Sequence, residues 1–354
     1  MKLNRNYLVA LALIALAATA AIDPSAAAFV DPSAGLTALA FMGQMSPSQA
    51  RVIDPILTNV ARGYKNADLV GDVLFPVVDV DQRGGKIIEF RKEDFFLYAT
   101  GRVPGANTRR VQYGYDGAPY ALEQHALEGV VPFEIMQEAN QVPGIDMARV
   151  AVMKTQNIVA LRTEKAQADV ARNAASYAAA NKVTLSGTSQ WNDYGTVSDP
   201  SANIETGKEA IRAQGGRRGN TVLLSAAAFS KVSQHPKIID RIKFTGRDSV
   251  TVEMLAQLWQ VKRVVVGDAV YSTDAGVMTD VWGKDVVVAY TDVGSLRDMG
   301  LPSYGYTYRL RGYPIVETPY QDRNAKSWVY PVTDELKPVM AGASAGYLIT
   351  NAVA

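Results

Sequence analysis

DMARVAVMKTQNIVALRTEKAQADVARNAASYAAA (Asp146–Ala180) is the longest uninterrupted helical pattern in the chain, and the reading of the rest turns on it. Pro143 and Gly144 precede it, Asp146 is suited to accept from the orphan amides of a first turn, and neither Gly nor Pro interrupts the 34 residues that follow. Val150, Met153, Asn157, Leu161, Ala168, Ala171 and Ala175 recur at helical spacing and predict one packed side. Lys165 and Asp169 make an i,i+4 pair on the outer side. A helix over 146–180 extends roughly 50 Å at ~1.5 Å per residue, against a radius of gyration of ~20 Å for a compact chain of this length. Such a helix is a spine crossing the whole body.

Upstream of the spine the texture is extended. VLFPVVDV (residues 73–80), a turn at Arg83-Gly84-Gly85 and KIIEF (residues 86–90) predict strands, with Ile88 and Phe90 alternating against Glu89 and Arg91. TGRVPGANTRRVQYGYDG (residues 100–117) then combines four glycines, one proline and the cations Arg102, Arg109 and Arg110 with almost no aliphatic bulk. APYALEQHALEGVVPFE returns as a second extended arm, in which His125 reads as an ordinary strand residue. Two extended arms around a long polar tip predict a projecting hairpin, and loops of that length are usually functional.

Downstream, after the Gly/Ser/Asp-rich residues 186–203, helices and strands alternate. A helix over Ile204–Gln214 stops at Gly215-Gly216, TVLLS is a buried strand, and AAAFSKVSQ is a short helix closed by His235-Pro236. PKIIDRIKF and VTVEMLAQLW are helical, whereas VKRVVVGDAVYS and DVVVAYTD are strands. In SYGYTYRLRGYPIVETPY, Tyr304, Tyr306, Tyr308 and Leu310 alternate against Thr307, Arg309 and Arg311, which predicts a half-buried antiparallel strand with the tyrosines on one face. The fold class is α+β.

Composition removes most chemistry from consideration. The 354 residues carry 36 basic and 35 acidic side chains, no cysteine and two histidines 110 positions apart, His125 and His235. Disulfides, thiol catalysis, iron–sulfur clusters and Cys-containing zinc sites are excluded. GGRRGN (residues 215–220) precedes a strand, whereas a phosphate-cradling glycine loop lies between a strand and a helix, so it reads as a helix stop. Asp79 and Asp81 lack the further ligands of a calcium loop. Counting alone leaves a Ser–His–Asp arrangement on His235 open, but Gln234 and Pro236 read as a helix boundary. We expect no catalytic residue, no cofactor and no metal, and hence a structural or binding protein and not an enzyme.

Charge is segregated along the chain. Lys208 to Arg247 hold nine basic and two acidic residues, whereas Asp268 to Asp298 hold six aspartates against Lys284 and Arg297. These stretches read either as two solvated faces of one domain, or as complementary edges between copies or a basic face towards phosphate. Residues 1–28 carry Lys2 and Arg5 before a 14-residue apolar run and Ala18-Thr19-Ala20, the pattern of a secretory signal and too short to span a bilayer.

ALRTEKAQADVARN in the spine, NTVLLSAAAFSKVSQHPKIIDRIKF and VTVEMLAQLWQVKRVVVGDAVY in the alternating region, and GYTYRLRGYPIVETPYQDRNAKSWVYPV near the end together resemble the major capsid proteins of tailed bacteriophages, the Hong Kong 97-type fold. The resemblance covers roughly residues 60–350. It implies an N-terminal arm over 1–62, an extended loop (E-loop) region over 63–135, the spine and first part of a peripheral domain over 136–200, an axial domain over 201–300, and closing peripheral strands over 301–354. It further implies hexamers and pentamers of one chain tiling an icosahedral shell around double-stranded DNA, assembled in the host cytoplasm without a membrane, with scaffolding, portal and decoration proteins and a maturation protease as further partners. Arg102, Arg109 and Arg110 of the loop tip and Arg217 and Arg218 of the basic run are then the self-assembly candidates. Some relatives crosslink an E-loop lysine to a peripheral asparagine; Lys86, Lys92 and Asn324 are of the right types, but nothing pairs them. On this resemblance residues 1–28 are a packing arm; without it, the second class is an exported surface or binding protein with a cleaved signal peptide.

Overall fold

The structure, a computed structural model, describes residues 54, 56–58, 61, 69–86, 100–101, 110, 119–141, 146–242, 250–292 and 303–354. These lie in one compact unit, Ile53–Ala354. In chain order its elements are α1 (Gly71–Leu74), β1 (Val77–Val80), β2 (Gly84–Lys86), β3 (Pro119–Ala121), β4 (Glu123–Pro132), α2 (Phe133–Asn140), α3 (Met147–Arg172), β5 (Lys182–Thr184), α4 (Pro200–Gly215), β6 (Thr221–Ser225), α5 (Ala226–Ser233), α6 (Pro236–Ile242) and α7 (Val252–Leu258). Then follow β7 (Arg263–Gly267), β8 (Val270–Ser272), β9 (Met278–Asp280), β10 (Val286–Ala289), β11 (Gly305–Leu310), β12 (Ile315–Val316), β13 (Tyr320–Asp322), β14 (Ser327–Met340) and β15 (Gly346–Thr350).

Helix α3 starts where the capping residue predicts, with the Asp146 carboxylate accepting from the Arg149 amide at 3.1 Å. It ends at Arg172, eight residues earlier than expected, which makes it about 39 Å long. The cause is Tyr177. Its ring is buried against Tyr304 and its hydroxyl donates to the Ala171 carbonyl at 2.6 Å, while Asn173 caps a short 3₁₀ turn at Ala174–Ser176. Continuing the helix would swing that aromatic out of the core. The packed side also differs from expectation. Val152, Thr155, Gln156, Val159, Thr163, Glu164, Gln167, Ala168 and Ala171 face inward, whereas Met153 and Ile158 are exposed. Of the polar members, Thr163 donates to the Val159 carbonyl at 3.0 Å, and Glu164 and Gln167 meet backbone and side-chain partners described below, whereas the Gln156 side-chain oxygen is buried without one. Lys165 and Asp169 do pair on the outer side.

A six-stranded sheet is organised by the 14-residue β14. β4 pairs antiparallel along one side of it, from Ser327↔Pro132 to Leu336↔Glu123. β13, β12 and β11 follow one another along the other side, and β1 adds parallel to β11. α3 lies across β4 and β14. Gly129 of β4 permits the contact, because a Cβ there would stand 2.7 Å from the Thr155 hydroxyl. β11 pairs antiparallel with β14 as the alternation predicts, and it is the smaller residues that face inward: Gly305 and Thr307 are buried, while Tyr306 and Tyr308 are half-buried on the opposite face. The inner side is already filled by Phe75, whose ring would lie 2.5 Å from a Cβ at position 305, and by Gln167, which donates to the Thr307 hydroxyl at 2.9 Å. Only small side chains fit there.

The five-stranded sheet has the order β5-β15-β10-β6-β7. Val222–Leu224, Val286–Val288 and Tyr347–Ile349 are buried without alternation, as in a sheet covered on both faces. Each such Val, Leu or Ile contributes ~1.5–3 kcal/mol on burial. Residues 346–350, expected with the closing peripheral strands, instead pair with β10 and β5 in this sheet, and β5 comes from the stretch expected before the axial domain. The all-apolar YLI of β15 matches a central position here and would be wasted on a half-exposed edge. Gly84 and Gly85, expected as a turn, are strand residues of β2; the bend falls at Asp81–Arg83.

Candidate functional site

The two arms of the expected hairpin meet at its base. β2 and β3 pair antiparallel from Gly84↔Ala121 to Lys86↔Pro119, apart from both large sheets, and the Leu122 amide extends the ladder to the Arg83 carbonyl at 2.8 Å. Tyr120 stacks on Tyr308 with ring centroids 4.6 Å apart, and burial pushes the Tyr308 hydroxyl up to about 12. Arg83 forks onto Glu335 of β14 at 2.7 and 3.1 Å, fixing that base to the six-stranded sheet. Arg110 and Gly101 are exposed, whereas Arg102 and Arg109 lie outside the described residues, as do Lys92, Lys243 and Arg247.

The basic run divides in space. Lys208 is buried, donating to Glu205 and to the Trp259 carbonyl at 2.7 Å each, so it serves the interior and no edge. Lys237 is tied to Asp199 and the Thr196 carbonyl. Arg217 and Arg218 come together at the end of α4, where Gly216 adopts the left-handed conformation that stops the helix. Arg217 donates to the Tyr290 hydroxyl at 3.0 Å and stacks over its ring; Arg218 and Arg212 share Glu209, which they hold below the usual carboxylate range. Two cations missed in the sequence join them. Lys262 and Arg263, at the start of β7, donate their amides to the Asn220 carbonyl. The signal available was the pairing of TVLLS with RVVVG as adjacent parallel strands, which sets both strand starts at one end.

At the other end of β7 stands a second hairpin, β8–β9, with register Val270↔Asp280 to Ser272↔Met278 and a turn closed by the Thr273 amide on the Val277 carbonyl. Val270, Val277 and Met278 are exposed, and Asp268, Asp274 and Asp280 stand beside them with no basic residue between 268 and 283. Its foot is fixed. Trp282 is buried and donates from Nε1 to Glu164 at 2.7 Å, and Lys165 lies 5.4 Å over the Tyr271 ring. Glu164 also accepts from the Val70 and Gly71 amides, at 3.2 and 2.8 Å. Burial raises the Glu164 carboxyl above its usual range against those three donors.

His235 is fully buried. Its Nδ1 accepts from the Lys237 amide at 3.3 Å, so the neutral ring carries its proton on Nε2, 3.2 Å from the Ser198 hydroxyl. A histidine that donates to a serine does not activate it as a nucleophile. Among the described residues no group of three His, Asp or Glu side chains is placed to hold a metal ion, and no helix is long and apolar enough to cross a membrane.

A long helix across a β-ribbon, a separate α/β sheet and a two-stranded β2–β3 pair define a capsid-type architecture of the Hong Kong 97 class. The capsid structure of Cyanophage P-SCSP1u shares that fold, with a TM-score of 0.52 and 9% identity over 81% of this chain and 89% of that one. A phage-related protein from Bordetella bronchiseptica RB50 aligns with a TM-score of 0.74 and 46% identity over 86% of this chain and 99% of that one. The major capsid protein of Burkholderia phage BcepMu is 40% identical over 314 residues, 88% of this chain and 99% of its own length. Residues 163–331 match the family described as phage major capsid protein E. The chain belongs to the phage major capsid proteins, a structural family and not a class of enzymes, and its place is the capsid of the virion. Membership sets aside the exported surface or binding protein as a reading of the whole chain.

Proposed function

We propose that the chain forms hexamers and pentamers that tile an icosahedral shell around the double-stranded DNA of a tailed phage, assembling in the host cytoplasm. The alignment over 99% of the length of the BcepMu capsid protein carries this reading, since a shell subunit must keep all the surfaces through which it meets its neighbours. The stalked loop with Arg102, Arg109 and Arg110 lies across a neighbouring copy in this scheme, and Arg217 and Arg218 belong to a contact between copies. Scaffolding, portal and decoration proteins and a maturation protease are the further partners, and DNA is met by non-specific contact. Expression of the full chain, followed by size-exclusion chromatography and electron microscopy, tests the reading. Capsomers or closed shells are expected, with or without a co-expressed scaffolding protein. A species of single-chain mass under all these conditions would overturn it.

A further inference from the structure

The two charged surfaces described above sit at opposite ends of the same strand. β7 begins at Arg263 and ends at Gly267, a rise of about 17 Å at ~3.3 Å per residue, and β6 runs parallel beside it. At the starting end lie the cations Arg212, Arg217, Arg218, Lys262 and Arg263 with the carboxylates Glu209 and Asp292; at the finishing end lie Asp268, Asp274 and Asp280, with Lys165 over the Tyr271 ring and Arg172 on the Val281 carbonyl at the foot of the hairpin and no cation within residues 268–283. The acidic end also carries three exposed apolar side chains on a hairpin whose foot is locked by buried Trp282. An exposed apolar hairpin on a rigid foot is suited to a partner surface. The basic end supplies guanidinium forks for carboxylates and arginine stems that can cover Val277 and Met278.

We propose that the β8–β9 hairpin of one copy docks on the Arg212–Arg217–Arg218–Lys262–Arg263 end of the next copy, head to tail. The partner is a second copy of this chain, because the chain itself bears the complementary surface. Two different patches of one molecule make a heterologous contact, and repeating it generates a ring when the rotation closes. This rests on the shell reading above and adds to it which surfaces meet within a capsomer.

Charge reversal in the full chain tests it, with wild-type assembly as the reference. Asp268→Lys/Asp274→Lys, and separately Arg218→Glu/Lys262→Glu, should each reduce particles pelleted at low salt by roughly tenfold or more, because like charges then face each other at every interface. Mixed in equal amounts, the two variants should recover hexameric rings, since each hairpin then meets an opposite charge on its neighbour in alternating order. Because the chain has no cysteine, Val277→Cys/Lys262→Cys gives a second readout that does not perturb the carboxylates or the arginines. A short bis-maleimide should join this variant into a ladder ending at whole rings. Unchanged assembly in both reversed variants, no recovery on mixing, or no ladder from assembled particles would overturn the docking while leaving a wild-type shell intact. Normal particles with less packaged DNA in Arg218→Glu/Lys262→Glu would also overturn it and assign the basic end to phosphate. A wild-type chain that stays at single-chain mass, with and without a co-expressed scaffolding protein, would instead remove the shell reading itself.

Discussion

His235 lies in the interior between Ser198 and the first turn of α6, and burial, with Lys237 beside it and Asp199 opposing, holds its imidazole below the ordinary histidine range. The unfolded chain therefore takes up a proton first as pH falls. The stability associated with this group is fully present above the unfolded value near 6.5 and is lost as pH drops towards the lower folded one. The loss has a limiting slope of ~1.4 kcal/mol per pH unit. His235→Gln keeps a donor towards Ser198 and does not titrate. Relative to the parent it should gain stability steadily between about pH 7 and pH 5 in urea unfolding, and parallel pH profiles would show that the proton is bound equally in both states. The helix boundary at His235 is legible in the sequence, since Pro236 opens α6. Glu164 is not legible. Within KAQAD-like helical texture a glutamate reads as solvated, and only tertiary structure brings Val70, Gly71 and Trp282 to one carboxylate.

The packing of α3 on the β4–β14 ribbon depends on one missing side chain. At Gly129 a Cβ would meet the Thr155 hydroxyl at 2.7 Å and the Ala151 carbonyl at 3.3 Å, so the helix must move away if any other residue stands there. Overpacking of this kind costs ~1–3 kcal/mol. Gly129→Ala should therefore lower stability by about that amount, and Thr155→Ala in the same chain should restore part of it by removing the nearer atom. A double-mutant cycle measured by thermal unfolding checks this, and strictly additive effects would show that the two residues do not press on each other. The start of α3 is legible because capping is local: Asp146 follows a Pro-Gly break and has only its own first turn to satisfy. Its end is not, because Tyr177 leaves the helix for a partner, Tyr304, that is 127 residues away in sequence. Which face of β11 turns inward is not legible for the same reason. Alternation reports that a strand has two faces, and here the interior selects the smaller residues because Phe75 and Gln167 fill the space first.

At the scale of the molecule, the alternating βαβ texture of residues 220–290 is enough to place an α/β layer. It does not reveal that β15 joins that layer, since pairing with β10 and β5 unites segments more than 50 residues apart. The stalked loop is legible for the opposite reason: its two arms and its tip differ sharply in composition, and β2 pairs with β3 as the arms require. Its tip, residues 100–117, has four glycines, one proline and three arginines and little apolar area to bury, so it contributes little to the stability of one subunit. Replacing it with a short turn shortens the connection between β2 and β3, and closure entropy changes by only ~0.6 kcal/mol per halving of the loop. The Tyr120–Tyr308 stack and the Arg83–Glu335 fork stay in place at the foot. The deleted protein should unfold within a few degrees of the parent. Assembly should respond differently, because in a head-to-tail ring each copy both gives and receives one such arm, and an arm removed from the chain is missing at every interface. A soluble, folded product that forms no closed particles by electron microscopy is the expected outcome. Normal shells would show that Arg102, Arg109 and Arg110 are dispensable for assembly, and an unfolded product would show that the tip belongs to the core of its own subunit.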